Sequence, residues 1–388
     1  MDRPKQTHFP LLLAWLVGLA VLTLDFSIRQ VYKKFRAPPI RPVSMHREPH
    51  PYYHHGFRAN AAVTDTFGNR RYPFFSNSLG MRDEAVREVS AKKNGPRILL
   101  IGDSFTEGVG LPWEKTFAGI LASRLSAEGI EVLNSGVNSY CPILSKGRLH
   151  YLLEQKGLEV DRVVAAVDIS DIMQELLYRE TPQGRVESQP LFPEDDEKAM
   201  AAYFRNEKWI RDHLEENFVI LGALARNLRL WYRDHLPPPA IRRQDEIPSW
   251  AYVWPEYRGA YEPLIEKGLK LAQQHMTEIA TDLRKRGIAL TVMVYPWPQQ
   301  LPHLGRPSRA ETVWADWAKE NRVDFINLFR DFSRLGPAES IQKNYYLQND
   351  WHWNDRGNAF VAGLLLDSYR PLILPPKKLP RQTSRPPI

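Results

Sequence analysis

The chain has a single cysteine, Cys141, in 388 residues. That excludes an intramolecular disulfide, so an oxidising compartment neither helps nor harms the fold. Cys141 reads as a small buried apolar residue, or as a neighbour of a site. Without further thiols the histidines of the N-terminal region stand alone, and His46, His50, His54 and His55 fit neither a helical spacing nor a zinc-ligand pattern. No metal and no cofactor is expected. Basic residues exceed acidic ones, 52 against 45, yet no basic run interleaves aromatics as a strand-binding groove does. The excess lies in Arg29 to Arg47 and in the tail after Tyr369, where Arg370, Lys377, Lys378, Arg381 and Arg385 have no acid among them. Anionic lipid or acidic glycan suits such runs better than nucleic acid.

Long apolar runs are scarce too. Phe9 to Leu24 is free of charge and continues past Asp25 through Phe26 and Ile28, a little short of the roughly 20 residues that span a bilayer. It ends in TLDFSIRQ, with no small-residue cleavage pattern, so an uncleaved single-pass anchor is expected. Arg29, Lys33, Lys34 and Arg36 follow the run and only Arg3 and Lys5 precede it. The charge rule taken literally then places the large domain in the cytoplasm. Pro38 to Arg71 is rich in proline, aromatics and histidine, and reads as a tether that lies over the membrane or wraps onto the domain. The divisions expected are an anchor over 1–37, a tether over 38–76, a main domain over 77–370 with an insertion at 174–260, and a basic tail over 371–388.

From Arg97 strands and helices alternate. Strands are predicted at 97–101, 130–136, 161–167, 288–296 and 323–329. Helices fall around 113–127, 142–156, 261–286, 308–321 and 356–369. Alternation of this kind implies right-handed crossovers and a parallel sheet covered on both faces, hence a three-layer α/β/α domain, flavodoxin-like in form. Gln174 to Ala260 is too long for a βα connection and carries no strand signal. It reads as a helical segment plus a loop bearing Trp250, Trp254 and Tyr257, either a lid over the site or an extra helix on the domain edge.

Two stretches carry chemistry. In RILLIGDSFTEGVG a buried strand runs into Gly-Asp-Ser, which sets Ser104 on a sharp strand-to-helix turn at the sheet edge where ligands bind. In NDWHWNDRGN, Asp350 and His352 are two residues apart on extended backbone and share a side, so the acid can fix the imidazole tautomer while the other ring nitrogen faces a nucleophile.

With GDS at 102–104, the glycine of NSGVNSY at 134–140, D-x-H-W-N at 350–354 and SNSLGMRDE at 76–84, the sequence resembles the SGNH/GDSL hydrolases. It is most similar to their membrane-anchored bacterial branch, which includes proteins of the alginate O-acetylation type. The likeness covers Asn77 to Leu366. It departs where the family has Gly-x-Asn-Asp and this chain has Asp168-Ile169-Ser170-Asp171, and in the acid standing two residues before the histidine, where many members have three. The resemblance implies a serine esterase acting on O-acyl groups, acetyl above all, of an envelope polysaccharide. Ser104, Asp350 and His352 would be catalytic, and the Ser104 and Gly136 N–H groups with the Ser170 hydroxyl would form the oxyanion hole, Asn138 in reserve. An O-acyltransferase with the same triad and a non-catalytic glycan-binding protein are the alternatives. Against the charge rule, the branch is exported, which implies an inner-membrane protein with its domain outside the cytoplasm.

Overall fold

The computed structural model describes residues 9–35, 46–68, 70–190, 205–206, 208–235, 262–304, 308–348 and 350–375. Contacts divide the chain into one unit of Met1–Arg41 with Pro190–Ile247 and a larger one of Pro42–Gln189 with Pro248–Ile388. The strands, all in the larger unit, are β1 (Arg47–His50), β2 (His54–Phe57), β3 (Ala62–Phe67), β4 (Arg70–Ser76), β5 (Arg82–Asp83), β6 (Arg97–Ile101), β7 (Glu131–Asn134), β8 (Arg162–Val167), β9 (Tyr178–Glu180), β10 (Val186–Ser188), β11 (Ala289–Val294) and β12 (Asp324–Asn327).

The central strands β6 and β8 are buried at every position. Only a strand covered on both faces can be apolar in this way without alternation, which is why RILLI and VVAAV read as parallel core strands. They pair in parallel, Leu99 against Val163, and β6 pairs with β7, β8 with β11, and β11 with β12 likewise. The order β7-β6-β8-β11-β12 is the flavodoxin-like order, whose reversal point lies between β6 and β8. Helices Phe117–Ser126, Pro142–His150, Glu262–Lys285 and Arg309–Asn321 come within a residue of their predicted starts or ends, except that Trp113–Lys115 is a separate 3-10 turn and Tyr151–Gln155 a π-type turn.

The sheet is larger than the expected parallel one and is mixed. Three antiparallel strands, β5, β4 and β3, extend it beyond β7 to eight strands in all. Residues 47–76 form β1 to β4, of which β3 and β4 join the main sheet, so of the two readings of this stretch it is the one that wraps onto the domain. Within β4, Tyr72, Phe74 and Ser76 are buried and alternate with the more exposed Arg71, Pro73 and Phe75, as a one-sided strand requires. A second difference lies in the insertion, which opens with a short hairpin, β9 and β10, whose Val186 bridges to Tyr53. These strands are three residues each, too short for periodicity to reveal. Trp250, Trp254, Tyr257 and the tail from residue 376 lie outside the described residues.

Arg82 ties the added strands to the core. Its guanidinium is buried and, among the described residues, faces no carboxylate within ion-pair distance; it donates instead to the carbonyls of Glu107 and Gly108, each at 2.6 Å, and to that of Leu111. Tyr72 and Phe74 cover it. Arg82→Ala strips three buried carbonyls of their donor, and the expected loss is about 3 kcal/mol or more. Urea unfolding of the detergent-solubilised protein measures it; a loss below about 1 kcal/mol would mean that water takes over the carbonyls.

Candidate active site

Gly102 follows β6 at φ +151, and a Cβ there would meet Thr106 Oγ1 at 2.3 Å and the Ala166 carbonyl at 3.0 Å. A glycine is thus required for the chain to turn out of the sheet. Asp103 follows and caps the turn Ser104–Glu107, its Oδ1 accepting from the Phe105 N–H at 2.9 Å. As the first residue of the turn, Ser104 has an N–H with no intrahelical acceptor.

The second stretch is held as tightly. The His352 carbonyl accepts from Leu347 N–H at 2.8 Å, and Asn354 caps the helix Asp355–Asp367 through the Gly357 N–H. Asn358, one turn on, accepts from the Phe117 N–H at 2.9 Å. So the asparagines around His352 fix the loop to two helices, and the histidine points back to the sheet edge.

There, His352 Nε2 lies 2.7 Å from Ser104 Oγ, and its Nδ1 lies 2.6 Å from Asp350 Oδ1. The same Oδ1 accepts from the His352 backbone N–H at 2.8 Å. An ionised carboxylate only accepts, so Nδ1 must carry the proton and Nε2 is left to receive one from the serine. Burial raises the Asp350 carboxyl, but the hydrogen bond and charge of His352 and two backbone N–H groups outweigh it and hold it below the usual carboxylate range. Ser104 and His352 are both buried. Phe105 lies 4.9 Å from the imidazole and Phe67, from the end of β3, stands edge-on to it at 5.1 Å. Trp351 is partly exposed and stacks flat on the buried Trp297.

Gly136 and Ser170 are both beside this site, with their donors engaged. A Cβ on Gly136 would meet Glu107 N and Thr106 at 2.6 Å, so the glycine allows close approach behind the serine turn, while its N–H donates to Asn134 Oδ1 at 3.0 Å. The Ser170 hydroxyl donates to Asp168 Oδ1 at 2.7 Å, and its N–H donates to the same oxygen at 2.8 Å. Asn138 is exposed, and its side-chain NH2 has no acceptor among the described residues.

Several neighbours escaped the sequence reading. Glu107 is fully buried, forms a bidentate pair with Arg47 of β1, and accepts from the Asn138 N–H at 2.7 Å. Its signal was only an acid inside an apolar turn. Asp103 and Asp168 share Tyr295, whose hydroxyl lies 3.1 and 3.3 Å from them, and Trp297 donates to Asp168 at 2.6 Å. Burial, then the Asp168 charge, pushes the Asp103 carboxyl well up. The N-terminal histidines are structural neighbours: His46 is buried against Phe74, its pKa lowered by burial, and His50 stacks on Tyr53 at 3.6 Å. Cys141 is a buried free thiol whose pKa burial raises.

Residues 248–385 match the family model for the SGNH hydrolase-like domain of the acetyltransferase AlgX. No curated protein matches the sequence. Among solved structures, the acetylxylan esterase Axe2 from Geobacillus stearothermophilus is 13% identical over 70% of this chain and 93% of its own, at a TM-score of 0.38. The acetyl xylan esterase AlAXEase is 14% identical over 70% and 98%, at 0.36. LAE5, an enzyme from the metagenome of Lake Arreo, Spain, is 11% identical over 73% and 99%, at 0.38. These distant likenesses carry no inference about substrate. The family match covers residues 248–385, about a third of the chain, and makes that part similar to an SGNH hydrolase-like domain.

The two acids affect stability in opposite senses. The Asp350 contribution is complete above about pH 4 and is lost as pH falls through its lowered folded value. Asp103, raised, holds in the folded state a proton that the unfolded chain releases near pH 4, so its burial costs stability as pH rises from there through the raised value. Asp103→Asn keeps the acceptor for the Phe105 N–H. Thermal unfolding followed between about pH 5 and about pH 8 should decline less in this variant than in the wild type; an equal decline rules out the buried proton.

Proposed function

We propose that the protein is a membrane-anchored serine esterase that removes O-acetyl groups, with Ser104 as nucleophile, His352 as general base and then acid, and Asp350 as its orienting acid. The observation that carries this is the unbroken line Ser104–His352–Asp350 at 2.7 and 2.6 Å. His352 takes the serine proton as Oγ attacks the ester carbonyl, and returns it to the departing alcohol; water then releases the acyl group by the reverse sequence. For the oxyanion we assign the Ser104 N–H and the Asn138 carboxamide, because the Gly136 and Ser170 donors are already bonded. Glu107 and Arg47 act as positioning residues by holding the Asn138 backbone.

The family match, to a domain of an acetyltransferase, favours a second reading, in which a sugar hydroxyl rather than water meets the acyl-enzyme. The substrate class in both is an acetylated carbohydrate of the cell envelope, and the partly exposed Trp351 suits the apolar face of a sugar.

The full chain in detergent, assayed on a chromogenic acetyl ester with and without a glycan acceptor, separates these readings. Ser104→Ala and His352→Ala should each remove nearly all turnover, and the double change should cost little more. Asn138→Ala should lower kcat about 100-fold or more, and Ser170→Ala far less; the reverse ranking would return the oxyanion role to Ser170. A folded wild type that neither turns over acetyl esters nor labels at Ser104 with a fluorophosphonate would be a binding protein instead.

The helix Phe9–Phe35 is long and apolar enough over Leu12–Tyr32 to cross a membrane. We propose that it anchors the protein in the inner membrane with the larger unit outside the cytoplasm. Long domains translocate largely regardless of flanking charge, which answers the basic residues that follow the span. Alkaline phosphatase fused at the C-terminus should be active and β-galactosidase fused there inactive; the opposite pair places the enzyme inside.

A further inference from the structure

The smaller unit holds a helix that the chemistry above does not use, Ile220–His235. Its start is capped from the anchor helix. Asp25, buried, accepts through Oδ1 from the Val219 and Ile220 N–H groups at 2.8 and 2.9 Å, and through Oδ2 from the Leu221 N–H at 2.9 Å. Arg29 donates to the Glu216 and Glu215 carbonyls at 3.1 and 3.3 Å, and Phe26 packs on Phe218. An acid inside an apolar span is costly unless it is paired, and here it meets three of the four N–H groups that a helix start leaves open.

The helix presents an apolar stripe to the outside. Ile220, Leu224 and Leu228 are 63%, 61% and 65% exposed, and at four-residue spacing they share one face. The indoles of Trp209 and Trp231 are also exposed. Arg226 lies across the helix from the stripe, and Arg229 pairs with Glu215 at 2.6 Å. With 16 residues the helix is about 24 Å long, short of the roughly 30 Å hydrocarbon layer, and Arg226, Arg229 and Arg233 in its sequence bar it from spanning. Asp25 stands seven residues before the end of the span at Tyr32, about 10 Å along the helix axis, which is within the roughly 5–10 Å to which an in-plane helix sinks its apolar face.

We infer that Ile220–His235 is an interfacial helix, lying in the bilayer surface beside the anchor with Ile220, Leu224 and Leu228 in the acyl layer. The occupant of the stripe is lipid, since the start of the helix is capped by a segment that itself requires lipid, and its apolar and basic faces divide as an in-plane helix requires. This rests on the reading of Phe9–Phe35 as a membrane span. It assigns this part of the insertion to membrane attachment, not to a lid.

The test uses the full chain with a single added cysteine, Leu228→Cys, Arg226→Cys or Leu16→Cys, carrying an environment-sensitive fluorophore. Each is reconstituted in vesicles of phosphatidylethanolamine and phosphatidylglycerol, with and without brominated acyl chains; unaltered protein, with Cys141 buried, gives the background. The label at 228 should shift to the blue and lose emission in brominated lipid, the label at 226 should do neither, and the label at 16 should be quenched. Quenching at 16 with water-like emission at 228 overturns the inference and leaves the anchor standing. So does equal quenching at 226 and 228. A blue-shifted but unquenched label at 228 means that a second copy of the chain covers the stripe, and also overturns it. No quenching at 16 overturns the anchor and the inference together.

Discussion

A helical turn of four residues cannot hold its own carbonyls, and the serine of this protein stands on such a turn. The surrounding structure therefore holds it from outside. Arg82 gathers the carbonyls of Glu107, Gly108 and Leu111, the Asn134 side chain donates to the Thr106 carbonyl at 2.7 Å, and Asp103 caps the front. Glu107, the last residue of the turn, is held through its side chain by Arg47. Each of these partners comes from a different strand or strand end. The position of Ser104 Oγ is accordingly a property of the sheet as a whole.

The N-terminal strands belong to this support. Residues 47–83 supply Arg47 and Arg82 to the serine turn and Phe67 to the edge of the imidazole. A sheet of five parallel strands would complete the chemistry in outline, but it would leave the carbonyls after Ser104 without a donor and Glu107 without a counter-charge. An unpaired buried carboxylate and unsatisfied buried carbonyls are each costly, so the added strands stabilise the serine turn through these polar bonds as well as through the apolar burial of Tyr72 and Phe74.

Behind the serine, charge is managed by sharing. Asp103 and Asp168 approach a common tyrosine hydroxyl in a buried setting, and Asp168 further receives Trp297 and both donors of Ser170. Two adjacent carboxylates cannot both ionise cheaply there, so one carries a proton. On the other side of Ser104, Asp350 is held ionised by His352 and backbone N–H groups. Acids of one chemical type thus serve opposite ends of the serine turn in opposite protonation states, because Asp103 is deeply buried beside another acid while Asp350 meets an imidazole and backbone N–H groups.

The sequence by itself determined the parallel core, the serine turn and the acid–histidine loop. Each is written locally: uninterrupted apolar runs for β6 and β8, glycine where the chain leaves the sheet, and two-residue spacing for Asp350 and His352. It also marked Asn354 and Asn358 as part of the motif, though their bonds to distant helices were not legible. Only the tertiary structure decided which donors stay open. Gly136 and Ser170 have the right residue types at the right strand ends, yet their N–H and hydroxyl are bonded to Asn134 and Asp168, while the side-chain NH2 of Asn138 has no acceptor among the described residues. Likewise Arg47 read as one basic residue in a basic run, and Asp25 as a flaw in an apolar one, until Glu107 and the helix start at Ile220 were placed beside them. Spacing along a chain fixes which groups a strand or turn presents. Whether a polar group is spent or available depends on what folds against it from more than a hundred residues away in the case of Asp25, and no local pattern records that.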